Sequence, residues 1–362
     1  MELKDIVQQR LSNQLISHSQ LSDPAGVVQW MGAMQAQDYY ASLWAIGMRI
    51  QKSEKVSDAV IEQAIAERKV VRTWPMRGTL HWVAPADARW MLRLLTPRII
   101  KGSAGRYRQL ELDEATILKS RTIIERALEG NNQLTRPELY HLLEQERIPT
   151  HEQRGIHILG HLAMSGIICM GIKKGNQHTF VLLDEWLPAY QIPEGDEALS
   201  MLASRYFTSH GPATVYDFAT WAGLKVTDAR KGLELVNPAF EQVTVDGQSY
   251  WFSAFSKEAN PTKGNAEVWL LPAFDEMLCG YRDRSAILHS ADVKATILKN
   301  GIIRPIVVMG NQAVAAWKRT IKKDQVLIGF SFFKNLSKRD KKILEEKAGD
   351  FGSFLEKEII FG

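Results

Sequence analysis

Apolar positions recur at helical spacing in short blocks along this chain, and pairs of alternating segments separate several of the blocks. "MELKDIVQQRLSNQLI" places Leu3, Ile6, Val7 and Leu11 on one side, which predicts an amphipathic helix. Between 133 and 183, Thr135 is followed by Pro137 in the first turn and by Glu138 at capping-box spacing. Leu139, Leu142 and Leu143 then form the apolar face of a short helix, which "IPT" ends. A second helix turns Ile156, Ile158, Leu159, Leu162 and Ala163 mostly inward, and after Gly166 the pattern changes to two strands, "IICMGI" and "TFVLL", around "KKGNQ". Helix, turn, helix and hairpin is the plan of a winged helix, whose second helix can enter a major groove while the hairpin forms the wing.

The plan recurs at 197–252. A helix carrying Leu199, Leu202 and Tyr206 is punctuated by Gly211-Pro212, and "ATVYDFATWAG" makes a second helix with Gly223 as its C-cap. Thr227 is the expected cap of a third, "TDARKGLELV", whose exposed face carries Arg230 and Lys231. "FEQVTV" and "QSYWF" flank Asp246-Gly247, a strong two-residue hairpin signal. A third copy fits the N-terminal part, where "SDAVIEQAIAERKV" is helical and "VVRTWPMRGTLHWVA" holds two strands around Met76–Gly78. The repetition is structural rather than literal. After it come a strand in "EVWLLPAFDEML", a β-meander with a Gly310-Asn311 turn, and a closing amphipathic helix, "SKRDKKILEEKAGDFGSFL". The expected class is α+β and helix-rich.

Composition changes this picture little. The 362 residues are 45% hydrophobic and 24% charged, ordinary for a globular protein. A net charge of +4 permits a polyanionic partner, but a solvated lysine-rich surface gives the same total. Cys169 and Cys279 are far apart and in apolar settings, so both are expected to be buried thiols, with no zinc site and no disulfide framework. No apolar run of about 20 residues exists to span a membrane, and the N-terminus lacks the pattern of a signal peptide. A cytoplasmic protein is expected. "GSAG" at 102–105 lacks the strand that a nucleotide-binding loop requires, and no metal or nucleotide cofactor is indicated.

One stretch resists a purely structural account. In "WMGAMQAQDYYASLWAIGMRI", Gln35 and Gln37 interrupt an apolar neighbourhood, and side-chain amides are costly to bury unpaired. One helix is expected to begin near Pro24 and another after Asp38, its N-cap, which places the glutamines at a helix end or in the joint. On a continuous helix they would point about 200° apart; in an irregular joint they can converge on one target. Capping of the helix end is the alternative role.

"MQAQDYYASLWAIGMR", "RTWPMRGTLHWVAPADARWML" and "LLPAFDEMLCGYRDRS", in that order, resemble the AlkZ/YcaQ family of winged-helix DNA glycosylases over nearly the whole chain. The resemblance implies three tandem winged-helix units around a C-shaped concave channel. Their bounds would be 1–100 with the glutamine motif, 101–192, and 193–362 with the meander and closing helix. It implies monofunctional excision of N-alkylated (N7) purines, including unhooking of interstrand crosslinks, from double-stranded DNA, by a monomer acting at the nucleoid. Gln35 and Gln37 match the catalytic pair, with Gln at the second position as in the AlkZ-like branch, where the YcaQ-like branch has Asp.

Candidate DNA contacts are Arg77, Lys173 and Lys174 at hairpin tips and Arg282 with Arg284, each of which fits an ordinary surface charge as well. His81, between Leu80 and Trp82 in a strand, faces the channel or packs. Asp275 reads as a structural hydrogen-bonding group rather than a catalytic carboxylate. Winged helices also serve non-catalytic transcriptional regulators and protein-interaction scaffolds, and the fold alone does not separate these from the enzyme.

Overall fold

Three helix starts follow from side chains that accept the otherwise unpaired N–H groups of the first turn. In the computed structural model, which describes residues 2–51, 56–253 and 267–362, Asp38 accepts the Ala41 N–H at 3.0 Å and opens the helix Tyr39–Gly47. Thr135 with Glu138, and Thr214 with Asp217, form reciprocal capping boxes at the starts of Arg136–Gln145 and Val215–Ala222. Gly223 closes the latter helix in the left-handed conformation, at φ 70°. Thr227 is not a cap. The next helix begins at Val226 after an extended Lys225, so Thr227 lies in its first turn and its hydroxyl turns to Asp228.

The chain forms two compact units, one from residues up to Ile61 together with Ser200–Gly362, the other from Glu62–Leu199. This division describes packing. It cuts across the expected boundaries 1–100, 101–192 and 193–362, which describe repetition along the chain.

In the 62–199 unit, antiparallel strands run in the order Thr79–Val83, Val71–Met76, Ile168–Lys174, Gln177–Leu182 and Leu134–Thr135. Trp74 and Phe180 stack at 6.4 Å within this sheet unit. The helices Pro85–Gly102 and Arg154–Met164 pack against the strand Val71–Met76, burying Trp90, Leu92, Ile158, Leu159 and Leu162. The helix–helix–hairpin order expected at 133–183 is present as Arg136–Gln145, Arg154–Met164 and the paired strands Ile168–Lys174 and Gln177–Leu182. Cys169 is a buried free thiol here.

The other unit carries the helices Leu3–Asn13, Pro24–Met31 and Tyr39–Gly47 together with Val215–Ala222 and Val226–Val236. Its hairpin, Phe240–Val245 with Gln248–Ser253, turns through Asp246 and Gly247, both at positive φ, the backbone a two-residue turn requires. A five-stranded sheet follows, ordered Glu358–Phe361, Gln325–Phe332, Gln312–Ile321, Ile306–Met309, Val268–Leu271. The helix Lys338–Phe354 inserts Phe351 and Phe354 against Trp44, and Phe351 also meets Trp317. The indoles of Trp44 and Trp317 donate to the carbonyls of Leu270 and Leu271 at 2.8 Å, so these large side chains are buried with their polar atoms satisfied. The strand Glu358–Phe361, parallel to Gln325–Phe332, extends the expected meander at its edge. No described helix is long and apolar enough to cross a membrane.

Candidate active site

Gly32 determines how the glutamine motif is presented. The helix Pro24–Met31 starts on the Asp23 carboxylate and stops at Gly32, whose φ of 75° suits a residue without Cβ and whose N–H returns to the Gln29 carbonyl. The chain then extends as the strand Ala33–Gln35, before Asp38 opens the next helix. The motif is therefore not helical, and the divergence of about 200° expected on a helix does not apply. Ala33, Met34 and Ala36 are buried, which anchors the segment on either side of the glutamines.

Gln37 is exposed, whereas Gln35 is half-buried. The side-chain carbonyl Oε1 of Gln35 is sealed from bulk solvent and accepts no hydrogen bond from the described residues. An amide oxygen in that condition costs free energy, and it is one of few such atoms among the described residues. With no donor among the described residues, this oxygen caps neither neighbouring helix.

A second group, absent from the sequence expectation, lies against the motif. Glu276 is 1% exposed, and its Oε1 accepts the main-chain N–H of Gln35 at 2.7 Å. Its Oε2 accepts from the indole Nε1 of Trp221 at 3.0 Å and lies 3.4 Å from His210 Nε2. His210, fully enclosed, stacks on Tyr206 at 4.9 Å and has its Nδ1 2.8 Å from the Ser209 hydroxyl. Burial pushes His210 below the ordinary imidazole range; the Glu276 carboxylate partly opposes this, and Arg49 and Arg10 add to it. The neighbouring phenols of Tyr206 and Tyr281 are pushed up by burial. They donate to the Gly280 and His210 carbonyls at 2.8 and 2.7 Å.

Asp275 has the structural role expected of it. It accepts two hydrogen bonds from the Arg49 guanidinium, at 2.8 and 2.9 Å, and one from the Met277 N–H. Phe274 before it adopts a left-handed backbone, φ 59°, in the turn that leads into Asp275 and Glu276. The adjacent pair "DE" thus divides its work: Asp275 anchors, and Glu276 supports the motif. Nothing in the sequence pattern distinguishes the two acids, because the distinction depends on partners more than 200 residues away.

The expected DNA contacts occupy different environments. Arg282 is exposed, with its guanidinium 5.6 Å from the Tyr216 ring centre. Arg284 folds back onto main-chain carbonyls, donating to Leu278 at 2.7 Å. In the 62–199 unit, Lys174 is exposed beside Glu138 at 2.9 Å, and Lys173 lies 3.4 Å from Glu62. His81 is buried; its Nδ1 faces the Thr79 carbonyl at 2.9 Å and its Nε2 faces the Arg77 guanidinium at 3.2 Å. That places a proton on Nδ1 and leaves Nε2 to accept from Arg77. Among the described residues no cluster of three or more metal-ligating side chains is found.

Comparison with known proteins gives the chemical class. The family model "DNA glycosylase AlkZ-like" matches residues 28–354. A relative from Streptomyces sahachiroi, an interstrand DNA cross-link repair glycosylase, is 27% identical over 333 residues, covering 85% of both chains. The solved structure of Streptomyces sahachiroi DNA glycosylase AlkZ shares the fold, with a TM-score of 0.82 and 22% identity over the full length of each chain. These matches favour a DNA repair glycosylase over a transcriptional regulator. By the match along nearly its whole length, this chain belongs to the AlkZ-like family of DNA glycosylases.

Proposed function

We propose that the protein hydrolyses the N-glycosidic bond of purines alkylated at N7 in double-stranded DNA, interstrand crosslinks included, and that Gln35 and Gln37 carry the chemistry. The observation that carries this reading is the sealed carbonyl oxygen of Gln35, a hydrogen-bond acceptor for which the described residues supply no donor. A water beside the sugar is such a donor. The cross-link repair activity named for the Streptomyces sahachiroi relative supports the substrate class.

The chemistry suits amides. A glutamine has no useful acid–base equilibrium at neutral pH, but it donates and accepts hydrogen bonds at once. Alkylation at N7 makes the purine cationic. When the bond from C1′ to N9 breaks, its electron pair leaves with the base, which departs neutral, so the general acid of most glycosidic cleavages is dispensable. Attack by water forms the new C1′–O bond and releases a proton to solvent. The protein's task is to orient that water and to stabilise a cationic, oxocarbenium-like sugar with preorganised dipoles. Unmodified purines lack the activated leaving group and are spared by chemistry rather than by a tight pocket. That economy suits a bridged base, which cannot swing freely out of the helix.

The protein would act as a monomer on duplex DNA at the nucleoid, through the three winged-helix units, a reading that the helix–helix–hairpin order at 136–182 supports. Arg77, Lys173, Lys174, Arg282 and Arg284 are its proposed backbone contacts, with His81 orienting Arg77 from inside the hairpin. Duplex affinity then falls steeply with salt. The direct test is base release from one duplex with a single N7-methylguanine and another with an N7–N7 crosslink, read as abasic sites after heat and alkali. Release by the wild type is expected; none from either duplex would sink the proposal.

A further inference from the structure

Three carboxylates, Asp217, Asp275 and Glu276, are almost wholly buried in the unit that carries the glutamine motif. Two are matched by arginine: Arg49 grips Asp275 with two hydrogen bonds, and Arg10 lies 3.7 Å from Asp217. Glu276 faces a histidine, with His210 Nε2 3.4 Å from its carboxylate. Its carboxylate collects the N–H of Gln35, the indole N–H of Trp221 and the ring nitrogen of His210.

We propose that Glu276 is the positioning carboxylate of this active site: it fixes the Gln35 peptide and contributes a buried negative charge that favours the cationic sugar, and His210 sets the pH range over which that charge persists. The inference rests on the glycosylase reading above. Its basis is contact and location. One carboxylate oxygen is 2.7 Å from the Gln35 nitrogen, so the carboxylate holds the end of the strand that presents the amide. Charge in so enclosed a place acts more strongly than it would in water.

Ser209 equips the pair to take up a proton without losing a hydrogen bond. Its hydroxyl oxygen is 2.8 Å from His210 Nδ1 and 2.8 Å from the Arg205 carbonyl. With His210 neutral, Nε2–H donates to Glu276 and the Ser209 hydroxyl donates to Nδ1. With His210 charged, Nδ1–H donates to Ser209, whose own proton turns to the Arg205 carbonyl. The groups facing His210 are Tyr206 and Ser209 from its own helix, Trp221, Tyr281 and Glu276, and the charges of Arg49 and Arg10. Of these, Glu276 is the carboxylate in direct contact. Burial favours the neutral ring, so near neutral pH His210 sets no positive charge against Glu276. Protonation of the pair at lower pH cancels the Glu276 charge.

The test measures single-turnover release of N7-methylguanine from a duplex, with duplex affinity and thermal melting measured on the same full-length proteins. Glu276→Gln keeps the shape, removes the charge and sets an amide beside the Trp221 N–H. It is expected to slow base release at least 10-fold while duplex Kd stays within threefold. His210→Gln retains an N–H donor toward Glu276 but does not titrate, and it is expected to flatten the loss of rate that the wild type shows below neutral pH. Wild-type rates in folded Glu276→Gln would overturn the inference and leave the glycosylase intact. If Glu276→Gln does not fold, the His210→Gln profile decides, and an unchanged acidic limb overturns the inference. A wild type that releases no base removes the glycosylase reading and the inference with it.

Discussion

Arg49 and Asp275 form a two-pronged ion pair in the interior, 226 residues apart in sequence, with both side chains 1% exposed or less. The Arg49 guanidinium also donates to the carbonyls of Gln14 and Ala45, so one side chain joins three segments. Arg49→Met removes the cation and leaves the Asp275 carboxylate buried without it. A destabilisation of about 3–5 kcal/mol is expected, read from urea unfolding. A change under about 1 kcal/mol would mean that solvent reaches Asp275 easily.

Gly280 lets His210 approach. A Cβ at Gly280 would lie 2.6 Å from the His210 ring and 2.6 Å from the Glu276 carbonyl oxygen, so the space is closed to any side chain. Gly280→Ala is expected to cost about 1–3 kcal/mol through overpacking. It should also lower base release per folded molecule, since the ring that bonds Glu276 is displaced. Denaturant unfolding and a rate assay on the folded fraction check the two parts separately.

Replacing Gln35 and Gln37 together by Ala is expected to reduce base release about 100- to 1,000-fold, the scale found when an oriented polar group is lost from an active site. Duplex affinity should change little, because the motif contributes dipoles and no charge. Equal loss of rate and affinity would assign the glutamines to architecture.

His178, in the 62–199 unit, is pushed down to about 4, chiefly by burial, with the cations Arg72, Lys173 and Arg136 adding to the effect. Its folded value lies below the unfolded one, so the unfolded chain takes up the proton first. Stability is then complete above about 6.5 and falls as pH drops from there toward 4, with no further loss from this group below that. Thermal melting across that window should show a steeper fall for the wild type than for His178→Gln. Parallel curves would contradict the assignment.

Much of the local structure was legible because its causes are local. Asp38 and Thr135 cap helices through atoms three residues away, and Asp246-Gly247 supplies the two positive φ angles of its turn. Thr227 shows the limit of such reasoning. A good capping residue lies inside the first turn because the backbone at Lys225 is already extended after Gly223. The edge strand Glu358–Phe361 had no turn or alternation to announce it, and its pairing partner begins 33 residues upstream.

The sequence by itself determined the glutamine pair, its place between two helices, the order of helices and hairpins, and the resemblance that named the reaction. All depend on neighbours along the chain or on a motif read in order. Only the tertiary structure decided that the N-terminal residues pack with the chain from Ser200 onward, and that Glu276 rather than Asp275 meets the motif. A buried carboxylate is defined by the donors that surround it. Those of Glu276 come from residues 35, 210 and 221, and no spacing in the sequence records that they meet.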